Sequence, residues 1–265
     1  MLEEKQSKLK ISKIFLMILN LFGLTNYKQK TILIPKEFVE SEIPKVGSAE
    51  WSLLNNSIEY KVQIFDGKLK IEKYKGDQIC ILLMANGYLA GNDGGEFGGG
   101  KLIYVPKDNP KNFIKIKDAA MRHIFKFKDK IYFIEGFGNM TFHSGELYEL
   151  DIKDDNFNYK ELVNFDDTPM AYTIYQDKIL IATHKKFYIL KDFKKELVFK
   201  STFWDNLYPT SIAAFDDENI FMGVRGGIVK LDLTNKTIKF YKNAMPDEIS
   251  TKINLKLQEI RNRQN

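Results

Sequence analysis

A unit of four short apolar runs, separated by turn residues and repeated along the chain, restricts the fold more than any other feature. It is plainest toward the C-terminal end. Ser211 to Phe215 passes through Asp216-Asp217-Glu218 into Asn219 to Val224. A Gly226-Gly227 break precedes Ile228 to Leu233, and Thr234-Asn235-Lys236 turns into Thr237 to Tyr241. Short β-prone runs bounded by Gly, Asn and Asp mark strands joined as hairpins. The same grammar appears upstream in Ala171 to Tyr175, Lys178 to Ala182, Lys186 to Leu190 and Glu196 to Phe199. Before that come His123 to Phe127, Lys130 to Ile134, Glu146 to Leu150 and Tyr159 to Val163. Earlier still are Ile79 to Met84, Gly87 to Ala90, Lys101 to Val105 and Phe113 to Ile116.

The second run of each unit starts at Gly87, Lys130, Lys178 and Asn219, at intervals of 43, 48 and 41 residues. Four short strands and their turns fill about 40 to 50 residues, the length of one propeller blade. A β-sandwich also places strands every 8 to 12 residues or so, but lacks the longer period. The expectation is an all-β chain, a β-propeller of about five four-stranded blades spanning residues 31–243. The first blade is expected from Thr31 to Ile34, Trp51 to Leu54, Ile58 to Phe65 and Lys68 to Tyr74, with a turn at Asp66-Gly67. The last unit already holds a fourth run, so no N-terminal strand is needed to complete it.

Helical segments are expected at both ends. In residues 1–30, the eleven apolar residues Ile14 to Leu24 follow Lys5, Lys8, Lys10 and Lys13. That length suits a signal-peptide core and is too short to span a bilayer. Glu3, Glu4 and the lack of a small-x-small cleavage site argue against export. A signal peptide, an interfacial anchor and a packing helix therefore stay open, and so does membrane association through this segment. The location, exported or envelope against cytoplasmic, stays open with it. In residues 244–265, Ile249, Ile253, Leu257 and Ile260 recur at helical spacing behind Asp247 and Glu248.

With 44% hydrophobic and 13% aromatic residues, the 265-residue chain can build a real core. Its net charge of +5 comes from interspersed charges in which Lys greatly outnumbers Arg. That pattern serves solubility and argues against nucleic acid as a partner. Abundant Lys, Ile and Asn with scarce Pro and Ala point to an AT-rich bacterial genome. Cys80, alone in the apolar run Ile79 to Leu83, reads as a small core residue and precludes an internal disulfide.

The densest local signal is Gly91-Asn92-Asp93-Gly94-Gly95-Glu96-Phe97-Gly98-Gly99-Gly100. It is not a phosphate-binding loop, because Leu102 follows Lys101 and a strand follows where a helix must begin. The glycines fit a long hairpin with tight turns, while Asp93 and Glu96 offer carboxylates to a ligand. The segment resembles a G-x-D-x-G-E-x-G-G-G-L element of uncharacterised bacterial propeller-like proteins, with Lys101 inserted before Leu102. The resemblance covers about a tenth of the chain and implies a fold rather than an activity.

If the repeats superpose, the matching hairpins carry His143, His184 and Arg225 to the same rim. Asp93, Glu96, His143, His184 and Arg225 are then the candidate binding residues. His123 falls within a strand and reads as structural. Asp154-Asp155, Asp166-Asp167 and Asp216-Asp217 recur between strands and read as turn residues. No catalytic signature, metal-ligand set or cofactor motif is present. Two functions follow: a module binding a small ligand or a partner protein at the rim, or a carbohydrate hydrolase or lyase. In the second, Asp93 or Glu96 would act as acid/base with His143 or His184 as partner.

Overall fold

The computed structural model describes residues 32–76, 79–95, 99–139, 141–153 and 156–244. The expected segment at 1–30, all of the one at 244–265 except Ala244, and Glu96 lie outside these. Almost every described element is a strand, and the strands come in the expected sets. After β1 (Phe38–Ser41) and α1 (Ala49–Asn55), a hairpin pairs β2 (Tyr60–Phe65) with β3 (Lys68–Lys73). Four antiparallel meanders follow. Sheet I holds β4 (Ile79–Met84), β5 (Gly87–Asp93), β6 (Gly100–Pro106) and β7 (Ile114–Asp118). Sheet II holds β8 (Met121–Phe127), β9 (Lys130–Gly138), β10 (His143–Lys153) and β11 (Asn156–Phe165). Sheet III holds β12 (Pro169–Tyr175), β13 (Lys178–Thr183), β14 (Phe187–Lys191) and β15 (Lys194–Phe199). Sheet IV holds β16 (Ser211–Asp216), β17 (Asn219–Val224), β18 (Gly227–Asp232) and β19 (Thr237–Asn243). The four residues that set the period, Gly87, Lys130, Lys178 and Asn219, are the first residues of β5, β9, β13 and β17.

The first unit departs from expectation. Trp51 to Leu54 is not a strand but lies in α1. Ser48 caps that helix, its Oγ accepting from the Trp51 amide at 3.2 Å, and Glu50 favours the positive end of the dipole. Trp51 and Leu54, three residues apart, share one helical face. The Trp51 indole donates to the Phe203 carbonyl at 3.0 Å, and Leu54 is buried over Gly226. No strand forms over residues 32–34. The N-terminal strand is β1 instead, and it pairs with β19 as a fifth strand of sheet IV. The first unit therefore keeps only two strands in a sheet of its own.

The core explains why the inner strands read as unbroken apolar runs. Along β13, Leu180 and Ala182 pack toward sheet IV with Ile220, Met222 and Val229. Their neighbours Ile179 and Ile181 pack toward sheet II with Tyr132, Ile134 and Leu147. Along β9 the alternation repeats: Phe133 turns the other way, joining Leu89, Leu102 and Met121 between sheets I and II. A strand buried on both faces needs apolar residues at both parities. At the other face of sheet I, β4 leaves Ile79, Ile81 and Leu83 exposed. Among the described residues no helix is long and apolar enough to cross a membrane.

One pair of carboxyl groups on sheet II makes stability depend on pH. Glu135 and Glu146 face each other across β9 and β10. Glu135 accepts from Lys117 Nζ at 2.7 Å and from the Tyr148 hydroxyl at 3.0 Å. Burial, followed by the Glu135 charge, pushes the Glu146 carboxyl up to about 7. Its protonated form is favoured by folding. That contribution is complete below the unfolded value near pH 4.3 and is lost as pH rises through about 7. Allowing for partial exposure, the loss is about 1–2 kcal/mol, or roughly 3–6 °C in Tm. Glu146→Gln is expected to flatten this decline in melting curves recorded from pH 5 to 8. A wild-type Tm constant over that range would show that the pair does not share a proton.

Candidate functional site

The ends of the strands bring scarce residue types together. Asp93 closes β5, Arg122 is the second residue of β8 and His143 opens β10. His184 follows β13, and Asn206 and Tyr208 lie in the connection from β15 to β16. These side chains line two adjoining cavities of about 280 and 430 Å³, which share Asp93, Gly95, Arg122, Met170 and Tyr208. The first cavity adds His143, His184, Thr168 and Asn206; the second adds His123 and Glu59.

The Gly-rich loop positions Asp93. Its Oδ1 accepts from the Gly95 amide at 2.9 Å, forming a local turn, and Oδ2 lies 2.6 Å from Arg122 Nη1. Gly100 has a φ of +106°, and a Cβ there would collide with the Asn92 and Ala119 carbonyl oxygens, so the loop returns to β6 only through glycine. Arg122 Nε also donates to the Gly136 carbonyl at 2.9 Å. Burial lowers the Arg122 pKa from its ordinary value, opposed by the adjacent Asp93 charge.

The two imidazoles meet across the hairpins of sheets II and III. The rings of His143 and His184 are 4.4 Å apart and tilted by 31°. His143 Nδ1 lies 3.1 Å from Thr168 Oγ1, and burial together with His184 lowers its pKa, favouring the neutral ring. His184 is buried, its Nδ1 3.1 Å from Asp205 Oδ1 but off the line a hydrogen bond requires. The His184 imidazole in turn lowers the Asp205 pKa.

Below this pair lies Asp167, wholly buried. Its Oδ2 accepts from Thr183 Oγ1 at 2.6 Å and from the Lys185 amide at 2.9 Å. Its Oδ1 accepts from the Thr168 amide at 3.0 Å and stands 3.9 Å from His143 Nδ1. It lies in the connection between β11 and β12, as a turn residue should, but it is buried there and ties two loops together under the cavity. Asp216 does behave as a turn residue, accepting from the Glu218 amide and the Asn219 side chain at 3.0 and 2.8 Å. The pair 154–155 lies outside the described residues.

Tyr208 and Asn206 carry left-handed φ angles of +52° and +60°. A bulky non-glycine residue in that region is an outlier, and such strain gathers where a surface has a task beyond folding. The Arg225 guanidinium lies 4.1 Å over the Tyr208 ring, and His184 meets that ring edge-on at 5.7 Å. Arg225 is itself held by Glu59 at 2.9 Å and by the Asn55 carbonyl and side chain at 3.1 and 2.9 Å. His123 donates from Nε2 to the Met170 carbonyl at 3.0 Å, and burial pushes its pKa down to about 4.

Of the five residues singled out from sequence, Asp93, His143 and His184 thus line the same cavity. Arg225 lies behind Tyr208 rather than on the wall, and Glu96 is outside the described residues. Sequence reasoning misses Arg122, Thr168, Asn206 and Tyr208, and takes Asp167 for a turn residue. Scarcity was the available signal. The chain has three histidines and only four arginines among forty basic residues. All three histidines and Arg122 line these cavities, and Arg225 stacks on their shared Tyr208. Comparison of the sequence with protein-family models and with curated proteins gave no match.

Proposed function

We propose that the hairpin and the four sheets form a five-membered propeller-like ring whose central pocket binds a small polar ligand. Sheet-to-sheet packing supports this order: sheet I lies on sheet II, II on III, III on IV, and β2 of the hairpin on β16 and β17 of sheet IV. The hairpin is the fifth, shortened blade. Opposite it, Tyr74 and Asp93 stand on the same cavity wall.

The observation that carries the ligand reading is the gathering of the scarce His and Arg side chains around one concave pocket. Pockets of a few hundred Å³ with a few convergent polar groups are the usual form of a small-molecule site. Arg122, Asn139 and Asn206 supply hydrogen-bonding groups, and Tyr208 and the His pair supply ring faces. This lining suits a sugar ring bearing a carboxylate. Both Asp93 oxygens are engaged, one by Arg122 and one by Gly95, which favours binding over acid/base catalysis at that residue.

Calorimetry of the full chain with neutral and uronic-acid oligosaccharides tests the proposal. Uronic oligosaccharides are expected to bind in preference to neutral ones. Tyr208→Ala and Arg122→Gln are each expected to weaken that binding at least about tenfold, as loss of an aromatic or Arg anchor does. Saccharide binding indifferent to both substitutions, or no binding from either class below millimolar concentration, would reject the pocket as a sugar-acid site.

A further inference from the structure

We propose that His143, Asp167 and His184 form a site for one divalent transition metal ion of the zinc class. Each offers a ligand atom, and the three atoms lie within 4.8 Å of one another. Donors around a common zinc at about 2.0–2.2 Å stand roughly 3–4 Å apart, so closure needs a shift of about an ångström. The donors come from separate connections: the start of β10, the loop before β12 and the end of β13.

A second observation points to a ligand. His184 is 5% exposed, and its Nδ1 meets only the Asp205 carboxylate, within reach but poorly aligned for a hydrogen bond. A buried polar nitrogen in that state is costly unless something coordinates it. The nearest acceptor, Asp205 Oδ1, lies at 3.1 Å and off-axis. That separation is the one expected of two neighbouring donors on a single ion, about 3 Å.

Charge balance agrees. Asp167 is a fully buried carboxylate satisfied by two amides and a hydroxyl, and among the described residues no lysine or arginine pairs with it. Buried carboxylates are normally paired with a cation or bound to a metal. Imidazole and carboxylate donors together select zinc or nickel over calcium or magnesium, which take oxygen alone. Thr168, held to the Phe137 carbonyl at 2.6 Å, orients the His143 ring from behind, as the outer partners of metal-bound histidines do.

The site shares its pocket with the sugar-acid reading but does not depend on it. The experiment uses the untagged full chain, Zn²⁺ as probe and no saccharide. Equilibrium dialysis with elemental analysis is expected to find one Zn²⁺ per chain at micromolar free metal. Two of the three imidazoles should shift in ¹H–¹⁵N spectra, with the His123 signal unmoved. His143→Gln and His184→Gln should each abolish stoichiometric uptake. Because the imidazole shifts are read on the wild type, an unfolded variant would not blunt the test. Absence of stoichiometric Zn²⁺, or uptake that leaves the His143 and His184 signals in place, would overturn the proposal. Loss of saccharide binding with intact metal uptake would instead reject only the sugar-acid reading.

Discussion

Asp167→Ala is expected to destabilise the protein by roughly 3–4 kcal/mol and to lower Tm by about 10 °C in a chain of this size. The carboxylate is wholly buried and accepts from the Thr168 and Lys185 amides and the Thr183 hydroxyl. Alanine leaves the Thr168 and Lys185 amides without a partner, while the Thr183 hydroxyl keeps the Lys186 carbonyl at 3.2 Å, and each buried orphan costs about 1–3 kcal/mol. Asp167→Asn keeps one acceptor oxygen and should lose about half as much. The neighbouring Asp166 provides the contrast. It pairs with Lys186 at 2.6 Å and with the Tyr188 hydroxyl at 2.6 Å, and its own side chain is 67% exposed. Asp166→Ala loses an ion pair on the surface side and the acceptor of the buried Tyr188 hydroxyl, and should cost about 1–2 kcal/mol, less than Asp167→Ala. Urea denaturation of the three variants decides the matter. An Asp167→Ala protein within 1 kcal/mol of wild type, by the same scale, would mean that water already serves those donors.

The period of the inner strands was legible because burial on both faces leaves no room for polar residues. Lys178 to Thr183 and Asn219 to Val224 face a neighbouring sheet at both parities, so each run stays apolar and its start is sharp. Their turns were legible for a local reason. Asp66-Gly67 takes φ of +50° and +67°, the mirror-image turn that a two-residue hairpin prefers. The first unit was misread because Trp51, Leu53 and Leu54 look apolar at any period. Only the Ser48 cap and the spacing of Trp51 to Leu54 distinguish helix from strand, and the second depends on what the helix packs against. Strand β1 was missed because its partner, β19, lies some two hundred residues away, and nothing local in Phe38 to Ser41 names that partner.

The pocket was legible in part for the same kind of reason. His143 and His184 follow from the repeat, since equivalent hairpins put them on one rim. Arg122 does not, because it sits at the start of an inner strand rather than in a hairpin. Its contact with Asp93 is set by how sheets I and II pack. Tyr208 comes from an irregular connection, and its left-handed backbone has no signature in a Leu-Tyr-Pro sequence. The proposed metal site has no spacing to reveal it along the chain, because His143, Asp167 and His184 reside on separate loops and only meet when sheets II and III pack.

The arrangement of the five units rests most heavily on where the first hairpin sits. Glu59, just before β2, forms an isolated antiparallel bridge with Arg225, just after β17. Val62 donates to Ser211 Oγ at 2.7 Å and the Gly226 amide donates to the Ile58 carbonyl at 2.9 Å. Gly223 has no space for a side chain, because a Cβ there would collide with the Tyr60 carbonyl oxygen. The bond from Gly226 to Ile58 marks Glu59 and Arg225 as a non-hydrogen-bonded pair, with Cα atoms about 4.5 Å apart, within disulfide range. Cys80 should not compete, since burial pushes its thiol up to about 11.

Mild oxidation of the Glu59→Cys/Arg225→Cys double variant is the most direct measurement of the hairpin's place in the proposed ring. It would link residues 166 apart in the chain, so an intramolecular disulfide should form nearly completely. Relative to its reduced form, the oxidised chain should gain about 2–4 kcal/mol, because so long a loop is closed in the unfolded state. A double variant that stays reduced, or that oxidises only to intermolecular dimers, would place the first hairpin away from sheet IV and contradict the ring.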